Sequence, residues 1–234
     1  HILQKTGDDK SLSSVLTNMA QIHEKTGAYD SSAYTLKKLI SLSQLPGFET
    51  KLSDSYGHLG FVYNSIGCYS KTLENYSEAL KTSSALGDSI SMATDMNNIA
   101  AIYLHWKNYK MTEQYFRSAL ALYKRNRNLA STETTMANLA NALQQEKNYD
   151  SAHLLYEKSL MITLGNGSEK SAAVRLTNNG MLLHQIDKSD SAIIYLRNSL
   201  ETGRGLGSSN SVCSSLQKLG DVYLDIGALE SAQK

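Results

Sequence analysis

The stretch Ser55–Leu80, SYGHLGFVYNSIGCYSKTLENYSEAL, decides the fold. Tyr56, Leu59, Gly60 and Tyr63 stand at the three-, four- and seven-residue spacings that share one face of an α-helix. Gly67 and Tyr69 interrupt the pattern, and Tyr76, Ala79 and Leu80 resume it. The stretch therefore reads as two short amphipathic helices joined by a turn. Strand-like alternation is absent, and Pro46 is the only proline, so the residue that helices tolerate worst is almost missing.

Outward from this stretch the same frame returns every 40 residues. One apolar column is Leu16, Tyr56, Met96, Met136, Leu176, Leu216; another is Met19, Leu59, Ile99, Leu139, Asn179, Leu219. A small-residue column follows in Ala20, Gly60, Ala100, Ala140, Gly180 and Gly220, and then His23, Tyr63, Tyr103, Leu143, Leu183, Tyr223. The second helix carries Leu36, Tyr76, Phe116, Tyr156, Leu196, and then Ile40, Leu80, Leu120, Leu160, Leu200. Small residues let paired helices approach closely, and the large columns fill the space between neighbouring hairpins. A lone hairpin of this kind cannot bury its apolar face, so each repeat needs its neighbours.

Glycines punctuate the lattice. Gly7, Gly47, Gly87, Gly167 and Gly207 form one column, with Arg127 at the remaining point, flanked by Asn126 and Asn128. This column is expected to cap the second helices in the left-handed conformation that glycine adopts freely. Ser11, Ser91, Ser131, Ser171 and Ser211, four residues on, are expected to be the N-caps of the following helices. The resulting frames are 1–12 (tail of a preceding repeat), 13–52, 53–92, 93–132, 133–172, 173–212 and a truncated sixth repeat at 213–234. The chain does not begin with Met and neither end carries a polar capping helix, which suggests a piece of a longer protein.

Composition narrows the function. Of 234 residues, 41% are apolar, enough for a core, while 19% are charged with a net charge of +1. That is no footprint for a nucleic-acid partner, which needs concentrated Lys and Arg. No apolar run has the length of a membrane span, and there is no signal peptide. Cys68 and Cys213 lie several repeats apart, so no disulfide is expected between them.

The phrases Tyr56-x-x-Leu59-Gly60-x-x-Tyr63, Gly67-x-Tyr69 and Tyr76-x-x-Ala79-Leu80 resemble the tetratricopeptide repeat, and Leu216-x-x-Leu219-Gly220-x-x-Tyr223 with Gly227 repeats the frame. The resemblance implies an all-α fold, an α-solenoid of antiparallel helical hairpins wound into a right-handed superhelix. The 40-residue period looks like the long form found in kinesin light chains, in bacterial Rap-type regulators and pheromone receptors, and in arrays beside histidine kinases or helix-turn-helix regulators. Tyr149-Asp150-Ser151-Ala152 and Ser189-Asp190-Ser191-Ala192 look most like the last group. The fifth repeat departs from the pattern, with Asn179 in a Leu column and Ser189 where Tyr29, Tyr69, Tyr109 and Tyr149 stand in the repeats before it; local looseness or a polar site would each account for it.

By this resemblance the first helices line a concave groove. One groove column reads Asn18, His58, Asn98, Asn138, Asn178, Lys218. In long-form arrays such amides bond the backbone of an extended peptide, a task that suits a group able to donate and accept at once. The competing reading is that they bond within the array or face water. Further groove candidates are Phe61, Asn97, His105, Asn141, Gln144, Met181 and His184. The Lys and Arg set with which chaperone-tail receptors hold a terminal carboxylate is missing from the first helices.

Nothing in the sequence points to catalysis, a metal or a cofactor. No two histidines have the i, i+4 spacing of a helical metal site, and His23 falls in the inward Tyr/Leu column. Gly203-x-Gly205-x-Gly207 lacks the preceding strand of a phosphate loop and reads as repeat linker. Trp106 reads as packing, and no Ser/His/Asp or Cys/His set is brought together by the repeat pattern alone. The expected function is binding of a protein or extended peptide, as the sensory or regulatory segment of a larger bacterial signalling protein. An assembly scaffold, or the non-catalytic part of an enzyme, are the alternatives. Low charge and Ser/Asn/Tyr richness point to the bacterial periplasm ahead of the cytoplasm.

Overall fold

The computed structural model describes residues 2–45 and 47–227, with side chains from Asp9 onward. His1, Pro46 and residues 228–234, the end of the truncated sixth repeat, lie outside them. The described residues form eleven helices and no strand: α1 (Ile2–Lys25), α2 (Tyr29–Ser43), α3 (Glu49–Ser65), α4 (Tyr69–Leu86), α5 (Ser89–His105), α6 (Tyr109–Arg125), α7 (Leu129–Gln145), α8 (Tyr149–Gly165), α9 (Glu169–Gln185), α10 (Ser189–Gly205) and α11 (Ser209–Asp225). The chain divides into two compact units, His1–Asn126 and Arg127–Lys234. In each, every helix packs on the next in sequence, giving stacked hairpins. The fold is all-α, an α-solenoid of the tetratricopeptide type.

The turn geometry is more regular than the glycines suggest. A left-handed residue stands at every twentieth position from Gly27 to Gly227, and four of these are not glycine: Lys107 (φ 56°), Arg127 (φ 54°), Lys147 (φ 69°) and Asp187 (φ 60°). The amide after the left-handed residue reaches back to the helix it closes, as in Asp88 N–H to Ser83 O at 3.0 Å and Asn148 N–H to Leu143 O at 2.8 Å. This is the six-to-one bond of a Schellman ending. The same residue then opens the next helix. Asp88, Asn108, Asn128, Asn148 and Ser208 are the N-caps, and their side chains accept from backbone amides of the first turn.

Three expectations are corrected by the structure. The serine column is not the N-cap but the third helical position: Ser91, Ser131 and Ser211 donate their backbone N–H to Asp88, Asn128 and Ser208. The helices therefore begin four residues ahead of the lattice frames. Gly7 and Ser11 end and open nothing, because α1 runs without a break from Ile2 to Lys25. Gly7 therefore sits in continuous helix, which a glycine weakens without breaking. Gly203 and Gly205, read as linker, also lie inside a helix, α10.

Most of the column residues form the core, but Met19 and Leu216 are 44% and 42% exposed. Ala20, Leu59, Ile99 and Ala100 are buried in the first unit, Leu139, Ala140, Leu183 and Leu219 in the second. Gly60 is required by close approach: a Cβ there would meet the Tyr76 ring at 2.7 Å. Opposite this column runs a second small column, Ser32, Thr72, Thr112, Ala152 and Ala192, all fully buried. At Gly180 the two columns meet, with Ala192 O 3.2 Å from the position a Cβ would take.

Candidate functional site

In the first unit, residues of α1, α3 and α5 wall a cavity of about 550 Å³. His58, Phe61 and Asn98 line it together; Asn18 is exposed on α1. Phe61 is 45% exposed, a large apolar side chain left open to the cavity. His58 is tied through Nδ1 to the carboxylate of Glu24, at 3.1 and 3.2 Å. Asn97 is half-buried and engaged by its surroundings. His105 stacks on Tyr69 with ring centroids 4.0 Å apart, and Trp106 meets Tyr103 edge-on at 5.9 Å.

The same wall carries three carboxylates, Glu24, Asp54 and Asp95. Asp95 is 6% exposed, and Ser83 Oγ donates to its Oδ2 at 3.0 Å. Burial, with Asp54 and Asp88 nearby, pushes its carboxyl up to about 7; the Ser83 bond opposes this only in part.

In the second unit, Asn178 lines a cavity of about 330 Å³ between α9 and α11. Asn138 is half-buried and Asn141 exposed, the latter accepting from Gln145 at 3.3 Å. Gln144 is engaged rather than free: its Nε2 donates to Gln185 Oε1 at 2.7 Å and its Oε1 accepts from Tyr156. Met181 packs on the cluster of Leu196, Leu200, Leu219 and Val222, so it belongs to the core edge.

His184 joins Ser189 Oγ (Nδ1, 3.1 Å) to Asp225 Oδ2 (Nε2, 2.9 Å). The order of bonds is that of an acyl-transfer triad, a set the repeat pattern did not foretell. The Asp225 carboxylate is 68% exposed, however, so water competes for the imidazole. The bonds join the C-terminal ends of α9 and α11 to the start of α10.

Two buried polar clusters were not legible in the lattice. Arg175 Nε lies 3.1 Å from Glu133 Oε2, which also accepts from Thr163 at 2.8 Å. Asn179 is fully buried: its Oδ1 bonds His153 Nδ1 at 2.8 Å and its Nδ2 donates to Glu157, which also accepts from Tyr195 at 2.8 Å. Its departure from the Leu column is thus a satisfied polar network and not a loose hairpin. Burial and the neighbouring Glu157 push the Tyr195 hydroxyl up to about 12. Sequence did hold a signal for the first cluster: Glu133 interrupts a column of Ser13, Ser53, Ala93 and Ala173.

Both cysteines are free and exposed. Among the described residues no helix is long and apolar enough to cross a membrane, and no three His, Cys, Asp or Glu side chains converge as a metal set.

The tetratricopeptide repeat profile matches residues 52–125 and 92–163. No curated protein sequence matches the chain. Among solved structures, the chain is similar to BtubC (BKLC) from P. vanneervenii, at 20% identity over 86% of this chain and 85% of that one, with a TM-score of 0.78. It is similar to the apo form of RapI, at 14% identity over 95% and 80%, TM-score 0.75. A putative kinesin light chain of Podosopora anserina with nearly identical TPR-like repeats shares 14% identity over 86% and 96%, TM-score 0.70.

Proposed function

We propose, for a chain that belongs to the tetratricopeptide-repeat family and is therefore a protein-interaction module, that its ligand is an extended peptide laid along the first helices. The observation that carries this reading is the placement of the lattice amides. Asn98 and Asn178, at equivalent positions, each line a cavity of their own unit with the side chain half-buried. A half-buried amide keeps its shape through packing on neighbours, yet retains a donor and an acceptor for a ligand backbone. Backbone recognition gives affinity with little sequence preference, and the residues that differ between repeats, such as Phe61 and His184, then select.

Asn138→Ala is the test, since Asn98 and Asn178 stand one period to either side of it. Peptides selected on an array of the unmodified chain should bind this variant more weakly by about 0.5–1.5 kcal/mol, the net worth of one hydrogen bond, with the melting curve unchanged. Unaltered affinity, or a collapsed melting curve, would make the amide structural and remove the reading.

The module serves, in this reading, as the sensory or regulatory segment of a larger bacterial signalling protein. The Tyr149–Ala152 and Ser189–Ala192 phrases, which resemble arrays beside kinases and DNA-binding regulators, support it. A reading frame around this segment that encodes neither a histidine kinase nor a DNA-binding domain would refute it. One observation favours the scaffold alternative: Leu154, Met161 and Leu164 of α8 and Ile194 of α10 are all exposed. Leu154→Glu with Met161→Glu would then abolish self-association in sedimentation while leaving peptide binding intact; a chain that sediments identically with and without the pair counts against it.

A further inference from the structure

Asp95 and Arg175 occupy the same column of the 40-residue lattice, two repeats apart, in the series Ser55, Asp95, Thr135, Arg175, Ser215. The column is buried or nearly so, and an ion placed there needs a partner. Arg175 has one. Its counter-charge, Glu133, comes from 42 positions earlier, on the first helix of the preceding repeat. The position 42 before Asp95 is Ser53, whose hydroxyl is spent on Ala79 O at 3.2 Å. Asp95 therefore has the burial of Arg175 without its counter-ion.

What lies in front of Asp95 is open space. The 550 Å³ cavity is bounded by Asp95, Asp54 and Glu24, with Phe61 and Asn98 beside them. Ser83 satisfies Asp95 Oδ2, and Oδ1 has no partner among the described residues. No Lys or Arg lines the cavity, and its one basic group, His58, is taken by Glu24. Lys51, a turn ahead of Asp54, faces a neighbouring smaller cavity and makes no ion pair among the described residues.

We propose that this cavity is a subsite for one cationic side chain of the ligand, Lys or Arg, with its charged head between Asp95 and Asp54 and its stem against the Phe61 ring. A guanidinium or ammonium donates to several acceptors at once, so it satisfies Asp95 Oδ1 and relieves the repulsion between the two aspartates in one step. The exposed Phe61 ring offers the apolar surface and the π-face that such a side chain uses. The raised carboxyl of Asp95 agrees with a missing cation, since an incoming positive charge would favour its ionised form. The subsite deepens the peptide-binding reading and rests on it for the rest of the ligand.

The probe is Nα-acetyl-arginine amide, with the isosteric uncharged Nα-acetyl-citrulline amide as control, titrated to millimolar concentration into the full ¹⁵N-labelled chain. The arginine derivative should shift the backbone amides of Asp54, His58, Asp95 and Asn98 saturably, and the citrulline derivative should bind at least ten-fold more weakly. Asp54→Asn, an exposed substitution, and Asp95→Asn should each erase that preference while the remaining amide spectrum stays dispersed. Equal response to the two derivatives, no saturable shift at these four amides, or a preference that survives both variants overturns the subsite. None of those results touches the peptide reading, whose test is Asn138→Ala in the other unit.

Discussion

Glu133 and Arg175 form a buried ion pair, Oε2 to Nε at 3.1 Å, with side chains only 7% and 12% exposed. Ser159 and Thr163 donate to the same carboxylate, so α7, α8 and α9 are joined through one group. Removing a single partner leaves the other charged and buried. Arg175→Ala should therefore lower the stability of the second unit by about 3–5 kcal/mol, read from chemical denaturation. Glu133→Gln with Arg175→Met, which leaves no ion behind, should recover most of that loss. A double variant as unstable as the single one would contradict the charge-pair account.

The left-handed turn at Gly87 (φ 70°) should tolerate a β-branched residue badly. Gly87→Val is expected to lose about 1–2 kcal/mol. The converse applies where a side chain already bears the strain. Lys147→Gly, at φ 69°, should gain up to about 1 kcal/mol, seen as a higher midpoint of thermal unfolding. A lowered midpoint would mean that the Lys147 side chain contributes more than its backbone strain costs.

Asp95 should make stability fall as pH rises. Its carboxyl is raised to about 7 in the folded chain, above the ordinary value of 3.8. The folded state thus holds a proton that the unfolded state releases. The stabilisation this gives is full below pH about 4 and is lost as pH climbs through 7. The amount is on the order of 1–3 kcal/mol after screening by the open cavity. Asp95→Asn should flatten the stability profile between those limits and leave the protein more stable than the parent at pH 8. A variant with the parent's slope would place the pH dependence elsewhere.

Asn179→Leu restores the residue that the apolar column calls for, yet it should destabilise. The half-buried His153 and Glu157 would each lose a partner, a loss of about 1–3 kcal/mol, measurable as a lower urea midpoint. A gain in stability would show that the network is dispensable.

The sequence by itself determined the hairpin, its 40-residue period, its helix faces and its close-packing glycines. The hairpin and its faces depend on residues a few positions apart, whose shared face helix geometry fixes, and the period shows as the same residue types returning every 40 positions. The small column was placed from spacing alone, and the structure supplies the Tyr76 ring as what Gly60 packs on. The turns were half legible: glycine signals a left-handed residue, but Lys107, Arg127, Lys147 and Asp187 adopt the same backbone without any such sign, because the helix endings around them over-determine it. The serine column was misplaced as caps for a related reason, since a residue that donates to the cap and the cap itself differ by only three positions. Which polar groups would pair was left to the tertiary structure. Glu133 with Arg175, and Asn179 with His153 and Glu157, meet across 22 to 42 residues because packed helices bring them together. Asp95 lacks such a partner for the same reason: the position that would supply it holds Ser53, and the space in front of it remains open.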